Sequence, residues 1–526
     1  MDKENLNQYR KAAGKGDPAA QFQLGLIFGL GEGVPVDKKK ALNWLQKAAD
    51  QGKIEAQLVL SVYSDVKLDQ TFDKEAAAKW FIAAAEEGSA KARFILALLL
   101  EKGEGVPLDK ELALKWRLKA AEQGLVKAQY NLAQYYGQRA DPPPDPEAAA
   151  KWYLLAAEQG LAEAQLAYGQ LLMVGQGVPL DKKLAVKWLE KAADQRLAEA
   201  QYFLGLKYYN GEGILQNKTL AAKWIKLAAE QGFPEAQYKL SDLYINGEGV
   251  VKDERKILRW VKLAAEQGLG PAQCFLGNCY LIGKIVPLDK KMAVKWFNQA
   301  AEQGEIEAQY WMARLYAEGV EVELNKELAL QLYQKTARQG FVVSQTMLGS
   351  LYEKGEGVPK DIGLALKWYQ KAADLGDPEA QFILGRFYAI GLEVPEDQEL
   401  ATQLFQKAAE KGLIAAWCGL SFQYLHGQEV PKNKTLAATW AQKAANQGDV
   451  IARGLLADLE DLGQKGPITK DLVAHFFKKL ESQGLAMLEI APGKFFSTLL
   501  AFQVATGSPV IKAKSPKTLR PRQKFG

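Results

Sequence analysis

The chain has 526 residues, 48% of them hydrophobic and 25% charged, and its 67 basic and 62 acidic side chains leave a net charge of +5. That balance excludes disorder as the main state, because there is ample apolar side chain to bury. So small a net charge for this length points to no particular partner.

Met1 to Arg10 contains no apolar stretch of the kind that directs secretion, so a cytoplasmic location is expected, with delivery by a specialised secretion system left open. Three cysteines, Cys274, Cys279 and Cys418, are odd in number and irregularly spaced, which fits a reducing compartment. Behind the N-terminal segment a repeat begins. In the first full copy, Asp17-Pro18 opens a helix with proline in its first turn. Ala20, Leu24, Gly25 and Phe28 then mark an apolar stripe of helical period. We call this helix A. Gly31–Pro35, reading GEGVP, is a connector, and Asp37 is placed to cap a second helix, helix B, running to about Gln51. Trp44 and the pair Ala48-Ala49 give helix B its apolar face, and Gly52 supplies the left-handed residue that ends it.

The later copies follow in strict order. Trp80, Trp116, Trp152, Trp188, Trp224, Trp260 and Trp296 succeed Trp44 at 36-residue intervals, and Trp368 and Trp440 keep the phase, with Leu332, Leu404 and Phe476 in the intervening or final slots. A bulky apolar side chain recurring at one point of a repeat is expected to be a core anchor. The slot of Gly25 holds only small residues, for example Ala97, Gly169, Gly205, Ser241, Gly277 and Gly385, as a close approach of helix backbones requires. Departures occur at Lys67–Thr71 and at Asp141–Asp145, where the connector changes, and at Arg196, which replaces the helix-ending glycine.

The glycine-rich connectors invite comparison with phosphate-binding loops, but no strand precedes them and no Lys-Ser/Thr follows, so a repeated connector is the reading they support. His426 and His475 lie far apart without metal-type spacing, so no metal site is expected. The five-residue offset of Cys274 and Cys279 points their side chains in different directions, as for packing residues. The carboxylates of the Ala-Ala-Glu-Gln-Gly copies read as a solvated face. No cofactor and no catalytic residue is expected. Beyond Phe476 the period dissolves. Lys494–Ala505 reads as an amphipathic helix that seals the last repeat, and its apolar part is too short to span a membrane. From Ser508 to Gly526, Lys512, Lys514, Lys517, Arg520, Arg522 and Lys524 stand without any acid, which describes a disordered basic tail able at most to touch an acidic surface weakly.

The string Glu235-Ala236-Gln237-Tyr238-Lys239-Leu240, then Gly247–Val250, then Trp260 with Ala264-Ala265-Glu266-Gln267-Gly268, resembles the Sel1-like repeat family, relatives of tetratricopeptide repeats. The resemblance implies an all-α fold, an α/α solenoid with about thirteen 36-residue helix-turn-helix repeats in a right-handed superhelix over residues 1–490, a capping helix at 491–507 and the tail at 508–526. It implies an adaptor that binds a protein or peptide in its concave groove; alternatives are a glycan or cell-wall binder or, from cysteine-rich relatives, a lactam-hydrolysing enzyme. If helix A is oriented as in tetratricopeptide relatives, the variable groove slots are Tyr130, Tyr202, Asn210, Tyr238, Asp242, Asn246, Asn278, Tyr310, Arg314 and Arg386. Tyrosine, asparagine and arginine suit a wet recognition surface.

Overall fold

The computed structural model describes residues 3–30, 34, 37–53, 56, 60, 78, 81, 82, 85, 86, 88–138, 143–426 and 432–447. Trp80, Lys67–Thr71, His475, Phe476 and the expected capping helix and basic tail lie outside the described residues. The chain divides into two compact units, Met1–Asp253 and Glu254–Gly526. In each unit the described residues form helices and no strand, and the extensive helix packing joins helices consecutive in the chain. A representative pair in the first unit is helix A Ala198–Asn210 with helix B Lys218–Glu230; in the second it is Ile306–Glu318 with Lys326–Arg338.

The helix boundaries follow from the expected residues. The Asp181 carboxylate accepts the Leu184 amide at 2.9 Å, and Asn217 does the same for Leu220 at 2.9 Å, satisfying donors that a helix start leaves open. At the far end Gly232 sits at φ 92°, and the Phe233 amide turns back to the Ala228 carbonyl at 3.2 Å. Arg196 holds the same left-handed turn at φ 64° without glycine, a strain of about 1 kcal/mol. The connectors need glycine for a different reason. A Cβ on Gly177 would come 2.0 Å from the Pro146 carbonyl oxygen at the start of the preceding helix B. The connector thus packs backbone to backbone on the repeat before it.

The deepest core position is not the one the tryptophans suggest. Trp188 and Trp260 are buried, but Trp44, Trp116, Trp152, Trp224, Trp296, Trp368 and Trp440 are only partly covered. Lysine ammonium groups lie over several of these rings, at 3.9 Å from the Trp188 centroid and 4.6 Å from that of Trp44. The residue after most anchors goes deeper: Leu45, Leu189, Ile225, Val261, Phe297, Tyr333, Tyr369 and Phe405 are all buried, whereas Tyr153 is only partly covered. Its size is matched by the small slot of helix A. A Cβ on Gly205 would meet Ile225 Cγ1 at 2.6 Å, and one on Gly385 would meet Phe405 Cε1 at 2.7 Å. The small slot stays small throughout, as expected, while its deep partner changes identity, from valine at Val261 to tyrosine at Tyr333, and so shows no constant residue of its own. Arg117 occupies the deep slot once, with its guanidinium bonded to Glu101 and 5.8 Å from the Tyr135 centroid.

A glutamine ladder ties successive repeats together. The buried Gln201 donates to the Ala193 carbonyl at 3.1 Å, while its own carbonyl oxygen accepts from Gln231 of the next stretch at 2.8 Å. Gln129 with Gln159, Gln165 with Gln195, and Gln273 with Gln303 repeat the bond at 2.8 Å. Where the first glutamine is replaced, a donor survives: Arg93 Nε reaches Ala85 at 2.9 Å and Trp417 Nε1 reaches Ala409 at 3.0 Å. The second glutamine is missing at Leu375, and the buried Gln345 Oε1 has no hydrogen-bond partner there. Leu375→Gln should therefore complete the ladder, removing an exposed apolar side chain and adding about 1 kcal/mol of stability. Denaturant unfolding of the variant tests this, and an unchanged or lowered midpoint would contradict it.

Candidate binding surface

The slots singled out on helix A fall into two groups, one in each unit. In the first unit, Tyr202 is half-buried, its ring tilted against Phe203 and Phe233 with centroids 5.6 and 5.4 Å away. Burial, reinforced by Glu235 and Asp242, pushes the Tyr202 hydroxyl up to about 12. Asp242 is buried and paired with Lys239 at 2.7 Å, and it accepts the Asn246 amide at 2.9 Å. Lys239 also lies 4.4 Å from the centroid of Tyr209. The Tyr209 hydroxyl donates to Glu248, which Lys218 meets at 2.7 Å. Burial alone would raise Glu248, but these hydrogen bonds outweigh it and hold the carboxylate below its usual range. The structure thus brings Tyr202, Asp242 and Asn246 into one neighbourhood, and Tyr209, Lys239 and Glu248 belong to it as well. The one sequence signal for these three was a run of polar and aromatic residues flanking the expected slots.

Tyr238 is half-buried one turn before Asp242, and its carbonyl accepts the Ser241 hydroxyl at 2.6 Å. Tyr130 stands apart, edge-on to Tyr153 at 5.6 Å, and burial raises its pKa with help from Glu163 and Glu199. Asn210 is exposed and donates to Glu212 at 2.8 Å.

In the second unit, Tyr310 is covered by Trp311, Tyr333 and Phe341, with centroids at 5.5, 5.9 and 5.5 Å, and only 2% of its surface is exposed. Arg314 is half-buried 5.6 Å from the Trp311 centroid and meets Glu318 at 2.8 Å. Arg386 bonds Glu353, which also accepts the Tyr369 hydroxyl at 2.7 Å. Asn278 is 1% exposed. So Tyr310, Asp242 and Asn278, expected to line a groove, are covered by their neighbours, whereas Tyr130, Tyr202, Tyr238, Arg314 and Arg386 keep part of their surface open.

Beside Asn278 stand groups that the sequence did not mark. Burial pushes the Glu307 carboxyl up to about 7, with Glu305 adding to the rise, against the indole of Trp311, whose Nε1 donates at 3.4 Å, and the nearby Asn278 and Cys274. Cys274 and Cys279 are buried free thiols, and burial pushes Cys279 up to about 12, as packing residues rather than nucleophiles. Among the described residues no group of three or more His, Cys, Asp or Glu is arranged to hold a metal ion, and no helix is long and apolar enough to cross a membrane.

Paired helices capped, stacked and cross-bonded in this way define an α-solenoid of helix-turn-helix repeats. The Sel1 repeat family matches residues 18–53, 55–89 and ten further segments in succession to 417–449, and the chain belongs to that family. Among solved structures it is similar to c5321, a protective antigen of uropathogenic Escherichia coli with an SLR fold, at 30% identity and a TM-score of 0.63, over 90% of this chain and 94% of that one. It is also similar to a Sel1 repeat protein from Oxalobacter formigenes, at 31% identity and a TM-score of 0.46, over 67% of this chain and 92% of that one. No curated protein matches the chain.

Proposed function

We propose that the chain is a non-catalytic scaffold that binds another protein through the helix-A faces of its repeats and helps to assemble a complex. The observation that carries this reading is a division of labour. The residues that recur are absorbed by structure: caps, left-handed turns, the glutamine ladder and the paired small and large slots. The residues that vary from copy to copy and keep open surface, Tyr130, Tyr202, Tyr238, Arg314 and Arg386, are none of these caps, turns, ladder glutamines or paired slots, although Tyr130 also packs edge-on against Tyr153. They are also of the types that dominate binding energy at interfaces.

The test is a crosslinking pulldown from the native cell with the chain and with a Tyr130→Ala, Tyr202→Ala, Tyr238→Ala, Arg314→Ala variant. Tyr310 and Asp242 are left intact because both are buried and their removal would disturb the fold. Loss of about 1 to 3 kcal/mol per true hot spot should abolish capture of the partner while helicity is retained. Undiminished capture by the folded variant would move the binding surface elsewhere.

A further inference from the structure

In the first unit the connectors carry large apolar side chains that the packed helices leave in water. Leu180 is 59% exposed, Leu215 89% and Val251 87%, while their neighbours Val178, Ile214 and Val250 are partly covered. A single exposed leucine is ordinary. These three, however, fall within one residue of the same place in three consecutive repeats. They also stand in one row, because each connector packs on the start of the helix B before it. A Cβ on Gly213 would come 2.3 Å from the Lys182 carbonyl oxygen, and one on Gly249 would come 2.0 Å from that of Lys218. Leu215 follows two residues after the first of these contacts, with helix B Lys182–Asp194, and Val251 two residues after the second, with helix B Lys218–Glu230.

The same edge is basic. Lys182, Lys183, Lys187, Lys218 and Lys223 are all exposed. Over residues 178–187 and 214–223 the only acid is Asp181, and it is occupied in capping its helix through the Leu184 amide at 2.9 Å. Neither helix has an acid in its first turn, so the lysines add to the positive end of the helix dipole, an arrangement that costs the helix stability. Two acids border the row, Glu212 and Glu248, and each is already met by a lysine, Lys207 and Lys218, at 2.7 Å.

We propose that this connector edge of the first unit rests on an anionic membrane surface, with Leu180, Leu215 and Val251 entering the interface and the lysines meeting lipid phosphates and carboxylates. Charge complementarity selects the occupant. A second copy of the edge would set lysine against lysine, and a nucleic acid would satisfy the lysines but leave the apolar tips in water. Apolar side chains one repeat apart offer no continuous patch to a rigid partner, whereas a fluid interface takes up each of them separately while basic groups stay at headgroup level. The proposal is independent of the helix-A face and leaves that face available to a protein partner.

Flotation of the full chain with vesicles of phosphatidylcholine and phosphatidylserine in equal parts, and with phosphatidylcholine alone, tests it. The chain should float with the first and not with the second, and the bound fraction should fall as salt is raised. Leu180→Ser with Leu215→Ser and Val251→Ser should weaken partition at least about tenfold. Lys182→Gln with Lys183→Gln and Lys187→Gln should weaken it about fivefold for each charge removed. Both variants alter exposed side chains and keep the caps Asp181 and Asn217, and unchanged helicity and melting confirm the fold. Lys512→Gln with Lys514→Gln and Lys517→Gln, in the basic stretch near the end of the chain, should leave most of the binding in place. No flotation with the acidic vesicles, equal flotation with the neutral ones, or loss confined to the variant at 512, 514 and 517 would overturn the proposal. So would binding that falls with the lysines but not with the apolar tips, the pattern of a polyanion site rather than a membrane.

Discussion

Trp188→Ala should lower stability by about 3 to 5 kcal/mol, the range for removing a large buried ring. Trp188 is 8% exposed, packs edge-on against Tyr168 at 5.8 Å between centroids, and carries the Lys191 ammonium 3.9 Å from its own. The truncation opens a cavity at the junction of helix B Lys182–Asp194 with helix A Ala162–Val174. Because packing runs between consecutive helices, the loss should be felt in the adjacent repeats first. Hydrogen exchange should accelerate between about residues 162 and 210 and stay near its original rate around Phe405. Acceleration spread evenly along the chain would contradict a nearest-neighbour solenoid. A cost below about 1 kcal/mol would show that Trp188 is no more than a surface cover.

The second large effect is on pH. Burial raises Glu307 from 4.5 to about 7 and, with Asp377 beside it, raises Glu379 from 4.5 to about 8. The groups facing Glu307 are Glu305, Cys274, Asn278 and Trp311, and Asp377 faces Glu379. A carboxyl whose pKa is higher in the folded chain than in the unfolded one favours folding while it holds its proton. Its contribution is therefore complete below pH 4.5 and is lost as pH rises through about 7 and 8. Each group should be worth roughly 2 to 4 kcal/mol across that window. The second unit is expected to melt at a lower temperature at pH 8.5 than at pH 5.5, and Glu307→Gln with Glu379→Gln should flatten the slope and stabilise the chain at the alkaline end. A slope that persists in the double variant would place the titration in other groups.

Much of the architecture was legible because helix ends obey local chemistry. Asp181 and Asn217 cap, Gly232 turns, and the 36-residue spacing counts the repeats, all without reference to distant parts of the chain. What escaped was set by pairs of positions. The small slot of Gly205 was read, but its deep partner Ile225 was not, because that position changes identity from repeat to repeat, while Trp224 drew notice and is only partly covered. The glutamines of each repeat were visible but mute, since the bond from Gln231 to Gln201 joins residues thirty apart. The candidate binding surface was the least legible part. A slot two turns into helix A is open at Arg314 and closed at Asn278, depending on what the flanking repeats supply. Glu307 shares its place in the repeat with Glu163, Glu199 and Glu235, so only its surroundings set it apart.

The central claim, that helix A presents the surface which holds a protein partner, is tested most directly by a photo-crosslinking residue placed in the native cell at position 202 or 238, and at position 187 on the exposed face of a helix B. The account predicts that 202 and 238 capture the same discrete protein and that 187 captures none of it. Equal capture at 187, or no adduct at either helix-A position, would contradict it.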